Sequence, residues 1–310
     1  MPTLLLTHPA CLEHDTGHGH PERADRLRAI YDALDAPAFK VLKREEAPLA
    51  SLADIERLHP QSYVEMVKAE IPQHDHNWLD PDTVVSPGSW DAALRAAGAA
   101  LYAVDQVMAG NVANAFCAVR PPGHHAEPSR AMGFCLFNNV AIAALHARAK
   151  HGAERVAVVD FDVHHGNGTQ AAFWTDKKLF YGSTHQMPLF PGTGAFGETG
   201  VGNIFNAPLK PGDGSEVFRD AFESRILPAL HNFEPDFLLV SVGFDAHIRD
   251  PLAQIRLTEP DFAWVTEKLL ESADKHCGGK LVSTLEGGYD LDALANSTAA
   301  HVQTLISAAS

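Results

Sequence analysis

Basic residues are scarce in this 310-residue chain: 24 Lys and Arg stand against 39 Asp and Glu, for a formal net charge of −15. Direct nucleic-acid binding needs a cationic footprint to displace counterions, so that class of partner is not expected. An acidic surface favours a cationic substrate instead, in a salt-dependent way. Cysteine is sparse too. Cys11, Cys117, Cys135 and Cys277 are scattered with no C-x-x-C pair, which indicates neither a zinc knuckle nor a disulfide framework and reads as reduced thiols in a cytoplasmic protein. No window approaches the roughly 18 apolar residues of a membrane span, and the run Met1-Pro2-Thr3-Leu4-Leu5-Leu6-Thr7-His8 lacks the basic flank and length of a signal peptide. No membrane partner is expected. Repeats, low-complexity tracts and linkers are absent, and with 45% apolar residues the chain can bury a large core, so one domain over 1–310 is the simplest count.

What is present alternates. Apolar runs at Leu4 to Leu6, Val41 to Lys43, Ala115 to Val119, Val156 to Asp160, Leu179 to Thr184, Asp236 to Val242 and Lys280 to Leu285 read as strands. Helices are expected from Pro21 to Leu34, around Ser51 and Asp54 with a capping box, from Pro60 to Ile71, from Ser89 to Met108, and from Asn138 to His151. Further helices follow at Ser215 to Phe233 with a kink at Pro228, Thr258 to His276, and Asp290 to Ala309. This alternation implies an α/β protein with a mostly parallel sheet covered on both faces. The polar, proline-containing stretch Gln73 to Gly88 is either a binding loop or a surface excursion.

The densest chemistry lies in Val156-Ala157-Val158-Val159-Asp160-Phe161-Asp162-Val163-His164-His165-Gly166-Asn167. A strand period of two aims Asp160, Asp162 and His164 the same way, and carboxylate oxygen with imidazole nitrogen suits Zn²⁺ at roughly 2.0–2.2 Å. In open parallel sheets, ligands bind beyond the carboxyl ends of the strands. Four strands end there in reactive side chains: Gly123-His124-His125, Asp160 to His164, Gly243-Phe244-Asp245, and Glu286-Gly287-Gly288-Tyr289. Asp162, His164 and Asp245 supply three ligands for one divalent ion with positions left open; His124 and His125 offer acid–base groups, and Tyr289 offers a hydroxyl to an oxyanion.

These segments, RPPGHHAE with GFCLFNN, VDFDVHHGNGTQ, SVGFDAH with DPL, and LEGGYDL, resemble the histone deacetylase family. The likeness is to its class II branch with the bacterial deacetylase-like and acetylpolyamine amidohydrolases, and it runs from about His20 to about Leu294. The resemblance implies the arginase/deacetylase fold, a parallel sheet of about eight strands, and metal-dependent hydrolysis of an N-acetyl amide on a linear cationic chain. It makes Asp162, His164 and Asp245 the zinc ligands, His125 the proton shuttle, His124 its electrostatic partner and Tyr289 the group that polarises the acetyl carbonyl. Asp160 falls behind His124 and Asn167 behind His125, where the amide marks the class II pattern and should leave His125 less basic than a carboxylate would. The period-two alignment thus overstates Asp160, whose expected duty is to orient His124. Phe134 and Phe190 match the aromatic pair that grips the substrate's alkyl chain, with Gly133, Leu252 and Gly287 in the matching substrate-binding segments. A structural K⁺ near the carbonyls of Asp160, Asp162 and His164 is implied as well.

Gly166 and His247 occupy the positions where arginase carries the extra carboxylates of a second metal, so one metal is expected in this site. An Asp₂His set accepts Zn²⁺ or Fe²⁺. The expected reaction uses a metal-activated water and releases acetate and a free amine from acetyl-lysine or a similar amide. An acetylpolyamine deacetylase is the main alternative; Leu252, where some of those enzymes carry an acidic gatekeeper, weighs against it. A catalytically silent acetyl-lysine binder usually lacks a ligand or the tyrosine, and none is missing here. The sequence sets no oligomeric state, and a homo-oligomer is compatible with it.

Overall fold

The computed structural model describes residues 1–309. Eight strands form one parallel sheet: β1 (Thr3–Thr7), β2 (Lys43–Glu46), β5 (Asn114–Cys117), β6 (Val156–Asp160), β7 (Leu179–Gln186), β8 (Ile204–Leu209), β9 (Phe237–Val242) and β10 (Leu281–Leu285). Two more, β3 (Asn77–Asp80) and β4 (Thr83–Val85), make a separate antiparallel hairpin. The order across the sheet is β2-β1-β5-β10-β9-β6-β7-β8. Parallel pairing needs a crossover between neighbours, and helices supply the crossovers while shielding both faces, which is why β5, β6, β7, β9 and β10 are buried at every residue.

The helix Ser89–Met108 packs on Asn139–His151 in one layer, and Leu291–Ala309 packs on both Asp25–Leu34 and Glu259–Cys277 in the other. Local chemistry fixes several ends. Asn138 accepts from the Ala141 N–H at 3.0 Å, and the following helix stops at Gly152 in a left-handed conformation. Thr258 and Asp261 form a reciprocal capping box.

Four sequence expectations shift, the first being the helix expected from Pro21, which begins only at Asp25. The second strand lies at Lys43–Glu46 rather than 41–43, because the alternately exposed side chains of an edge strand carry little apolar signal. The helix expected over 215–233 is interrupted by a wide turn at Phe222–Ile226, beside Pro228, which has no N–H to close a regular turn. Strand β8 was not anticipated at all. Its Asn206 and Pro208 read as breakers, yet an edge strand tolerates proline because one side of its backbone needs no partner.

The sheet's register places the site. Cys117 pairs with Thr284, Leu285 with Val242, and Ser241 with Asp160, so the four central strands β5, β10, β9 and β6 end almost level. The segments beyond those ends are the four that carry the reactive side chains.

Candidate active site

The ligand atoms of Asp162, His164 and Asp245 lie within 4.8 Å of one another, and all three residues are buried. His164 Nδ1 is 3.1 Å from Asp162 Oδ1 and 3.0 Å from Asp245 Oδ2. The other carboxylate oxygens are held by backbone: Gly287 N–H donates to Asp162 Oδ2 at 2.7 Å, and Val163 N–H to Asp245 Oδ1 at 2.9 Å. A Cβ at Gly287 would sit 2.1 Å from Asp245 Oδ2 and 2.6 Å from Asp162 Oδ2, so only glycine lets β10's terminal loop close behind both carboxylates. Two buried carboxylates facing one imidazole call for a cation. Burial, followed by the charge of Asp162, pushes Asp245 up to about 6. Donor types, convergence and charge all fit one divalent metal ion with open positions.

Asp160 stands outside this set. The extended backbone stops there: Asp160 Oδ1 accepts from Asp162 N–H at 3.1 Å, turning the chain, so a period of two no longer applies beyond it. Asp160 Oδ2 instead lies 3.0 Å from His124 Nδ1 and accepts from Tyr181 Oη at 3.0 Å. His125 Nδ1 is 2.9 Å from Asn167 Oδ1. The two imidazoles are neighbours, with ring centroids 4.0 Å apart, but they differ electrostatically. Burial opposes the charge on His124, but Asp160, Asp162 and Glu286 overcome it and raise the group to about 10. Burial and the charges of His124 and His164 hold His125 well below the usual imidazole range, with only the Asn167 amide as a helpful hydrogen-bond partner. A pair of groups with separated proton affinities suits acid–base work.

A cavity of about 230 Å³ leads to these groups, lined by Asp82, His125, Gly133, Phe134, His164, Leu189, Phe190, Leu252 and Tyr289. Phe190 is 40% exposed and stands at the mouth, whereas His125 and His164 are buried at the inner end. Phe190 lies edge-on to His125 with centroids 5.1 Å apart, and Phe134 lies edge-on to Tyr289 at 6.0 Å. Burial keeps the Tyr289 phenol well above its ordinary pKa, hence protonated and able to donate. Gly133 and Phe134 both adopt positive φ, 57° and 68°, and a Cβ at Gly133 would meet His125 Cδ2 at 2.4 Å. Of the five residues expected to bind substrate, Gly133, Phe134, Phe190 and Leu252 line this cavity, while Gly287 lies behind the carboxylates of Asp162 and Asp245.

Several participants were not singled out from sequence. Asp82, between β3 and β4, accepts from Gly133 N–H at 3.2 Å, and Thr83 Oγ1 accepts from Phe134 N–H at 3.2 Å, so the Gln73 to Gly88 stretch is a loop of the site. Glu286 Oε2 accepts from Gly123 and His124 N–H at 2.7 and 3.1 Å and anchors the His-His turn. Asp250 Oδ2 accepts from Tyr289 N–H at 2.8 Å. Arg26 lies 4.9 Å from the Tyr289 ring centroid and donates to the carbonyls of Glu286 and Gly288 at 2.5 and 2.6 Å. Arg26 and Arg120 share the buried carboxylate of Glu22. The available signal was the Glu22/Arg26 spacing of four at a helix start, which alone reads as a surface pair.

This fold and site define a hydrolase of the arginase/deacetylase type. A profile of the histone deacetylase domain matches residues 20–305. The chain is 44% identical to the uncharacterized protein slr0245 of Synechocystis over 95% of this chain and 96% of that one. It is 42% identical to the histone deacetylase-like amidohydrolase of Pseudomonas aeruginosa, over 87% and 73% respectively. Among solved structures, the HDA15 HD domain superposes with a TM-score of 0.93 at 36% identity, covering 99% of this chain and 89% of that one. The chain belongs to the histone deacetylase family, whose members are metal-dependent deacetylases and amidohydrolases. Among the described residues no helix is long and apolar enough to cross a membrane.

Proposed function

We propose that this chain, acting as a single catalytic domain, hydrolyses the N-acetyl amide of acetyl-lysine or a similar acetylated amine to acetate and free amine, using one Zn²⁺ held by Asp162, His164 and Asp245. The observation that carries this reading is the convergence of that ligand set with His125 and Tyr289 at the inner end of one aromatic-walled cavity. When bound, the cation supplies Lewis acidity to a water molecule and to the acyl oxygen. Fe²⁺ satisfies the same donors.

His125, kept neutral by burial, takes a proton from the water as it adds to the acyl carbon. His124, with Asp160 behind it, carries fixed positive charge beside the developing anion. The Tyr289 hydroxyl donates to the acyl oxygen as charge builds there. The C–N bond then breaks as His125 returns its proton to the leaving nitrogen, which departs as a neutral amine. Phe134 and Phe190 clasp the methylene chain, so an extended alkyl amine is selected over a branched one. A structural K⁺ beside the carbonyls of Asp160, Asp162 and His164 belongs to this proposal through the family resemblance. Four free, buried thiols support a cytoplasmic site of action.

Asp82 favours a second reading. Its carboxylate lines the same cavity and could receive a second ammonium, as in an acetylated polyamine. Turnover of an acetyl-lysine peptide, loss of that turnover with a chelator and its recovery on adding Zn²⁺ are expected. A strong preference for N-acetylputrescine over the peptide would replace the lysine reading with the polyamine one, and no hydrolysis of either would overturn both.

A further inference from the structure

We propose that Asp105, His146 and His151 form a second divalent-cation site, separate from the catalytic one and suited to Zn²⁺. Asp105 lies near the end of the helix Ser89–Met108, and His146 and His151 lie in the last turns of Asn139–His151. Those helices lead into β5 and β6, so their C-terminal ends lie toward the strands' starting edge, opposite the catalytic site. The three ligand atoms are within 4.8 Å of one another. Asp105 Oδ1 is 2.7 Å from His146 Nε2 and 2.6 Å from His151 Nε2.

The proton count points to a cation. His146 is buried, and its Nδ1 has no hydrogen-bond partner although Asp54 Oδ1 lies 3.8 Å away. A neutral imidazole has one proton for its two nitrogens. Placed on Nε2 and given to Asp105, that proton leaves a buried Nδ1 lone pair facing the Asp54 carboxylate. Placed on Nδ1 and turned towards Asp54, it leaves the Nε2 lone pair facing the Asp105 anion. A cation among Oδ1 and the two Nε2 atoms relieves both conflicts: it accepts three lone pairs and leaves the His146 proton on Nδ1, on the side of the Asp54 carboxylate 3.8 Å away. Two imidazoles and one carboxylate are donors for zinc and its transition-metal neighbours, not for the all-oxygen cages of Ca²⁺ or Mg²⁺. The side chains of Asp105 and His151 are 37% and 22% exposed, so solvent reaches the site and can complete the coordination.

The test is calorimetric titration of Zn²⁺ into the holoenzyme already carrying its catalytic metal, with metal content measured after gel filtration. The wild type is expected to take up one further equivalent. His151→Gln and Asp105→Asn should each weaken that uptake at least tenfold while leaving deacetylase turnover unchanged, which also shows that the variants fold. No further uptake by the wild type would overturn the proposal. Uptake equally strong in both variants would place the ion elsewhere and overturn it too.

Discussion

Replacing Gly287 with alanine tests whether the site is built from the backbone outward. The new methyl group would lie 2.1 Å from Asp245 Oδ2, 2.6 Å from Asp162 Oδ2 and 2.7 Å from Asp245 Cγ. Relief to ordinary contact at about 3.4 Å requires the carboxylates or the β10 loop to move by roughly 1 Å, whereas metal–ligand distances tolerate only about ±0.2 Å. Moving the loop also lengthens the 2.7 Å hydrogen bond from Gly287 N–H that orients Asp162. Loss of such an orienting contact typically lowers metal affinity 10–100-fold, and displacement of the ligands themselves adds to that, so a loss at the upper end or beyond is expected. The assay is competition for Zn²⁺ against a chromophoric chelator, alongside circular dichroism to confirm the fold and steady-state kinetics at saturating metal. The kinetic signature should be a fall in kcat with little change in KM, since Gly287 is not on the cavity wall. Metal affinity within threefold of wild type would refute this account, and a selective rise in KM would return Gly287 to the substrate-binding role expected from sequence.

Four further outcomes follow from the same geometry. Tyr289→Phe removes one donor to the oxyanion and should lower kcat on the order of 10²–10³ with KM nearly unchanged, as read by initial rates on an acetylated peptide. Asp82→Ala frees the Gly133 N–H from its acceptor and loosens the positive-φ pair that carries Phe134, so KM should rise severalfold with a smaller change in kcat. Glu22→Gln leaves the guanidinium groups of Arg26 and Arg120 without their shared buried carboxylate, a loss of about 3–5 kcal/mol that a thermal melt should register as a large drop in Tm. Lastly, burial, aided at His14 by Arg120, holds His14 and His301 at about 3 and His59 and His185 at about 4, all below the ordinary 6.5. Over the window from about 6.5 down to 4 each of these four imidazoles binds more protons unfolded than folded, so its own contribution to stability falls as pH falls, by up to about 1.4 kcal/mol per pH unit, while the buried carboxyls of Asp245, Asp250 and Glu286, raised to about 6, 7 and 7, act in the opposite direction. NMR titration of the folded protein should find these four imidazoles still neutral at about pH 5, and protonation there would refute the burial argument.

The sheet was legible because its central strands announce themselves. Val156 to Val159 and Phe237 to Val240 are unbroken apolar runs, as strands covered on both faces must be, and both strands appear within a residue of where they are expected. The edges were harder to read for the same physical reason. β2 alternates half-buried with exposed residues and carries Arg and Glu, and β8, though largely buried, carries Asn206 and Pro208, so neither composition nor period distinguishes them from loop. The β3–β4 hairpin was hidden by the polar side chains that make it useful, since Asp82 and Thr83 serve through the hydrogen bonds they accept from the Gly133 and Phe134 N–H groups rather than through strand propensity.

Within the site, legibility divides along another line. Residues whose chemistry is carried by their side-chain type, such as Asp162, His164, Asp245 and the His124–His125 pair, are visible as a pattern at strand ends. Residues that act by holding something else are not. Nothing in the letter Glu at 286 says that its carboxylate gathers the Gly123 and His124 amides, and Arg26 looks like an ordinary helix residue until its guanidinium is found against Tyr289. Asp160 shows how the two kinds are confused. By type and period it belongs with the ligands, but its own Oδ1 captures the Asp162 N–H and ends the strand, so the carboxylate that looked like a third ligand becomes the support for His124. The third ligand then has to come from another strand. The level ends of β6 and β9 supply it in Asp245, so the candidate metal site joins two strands and comes together only once the sheet is paired in register.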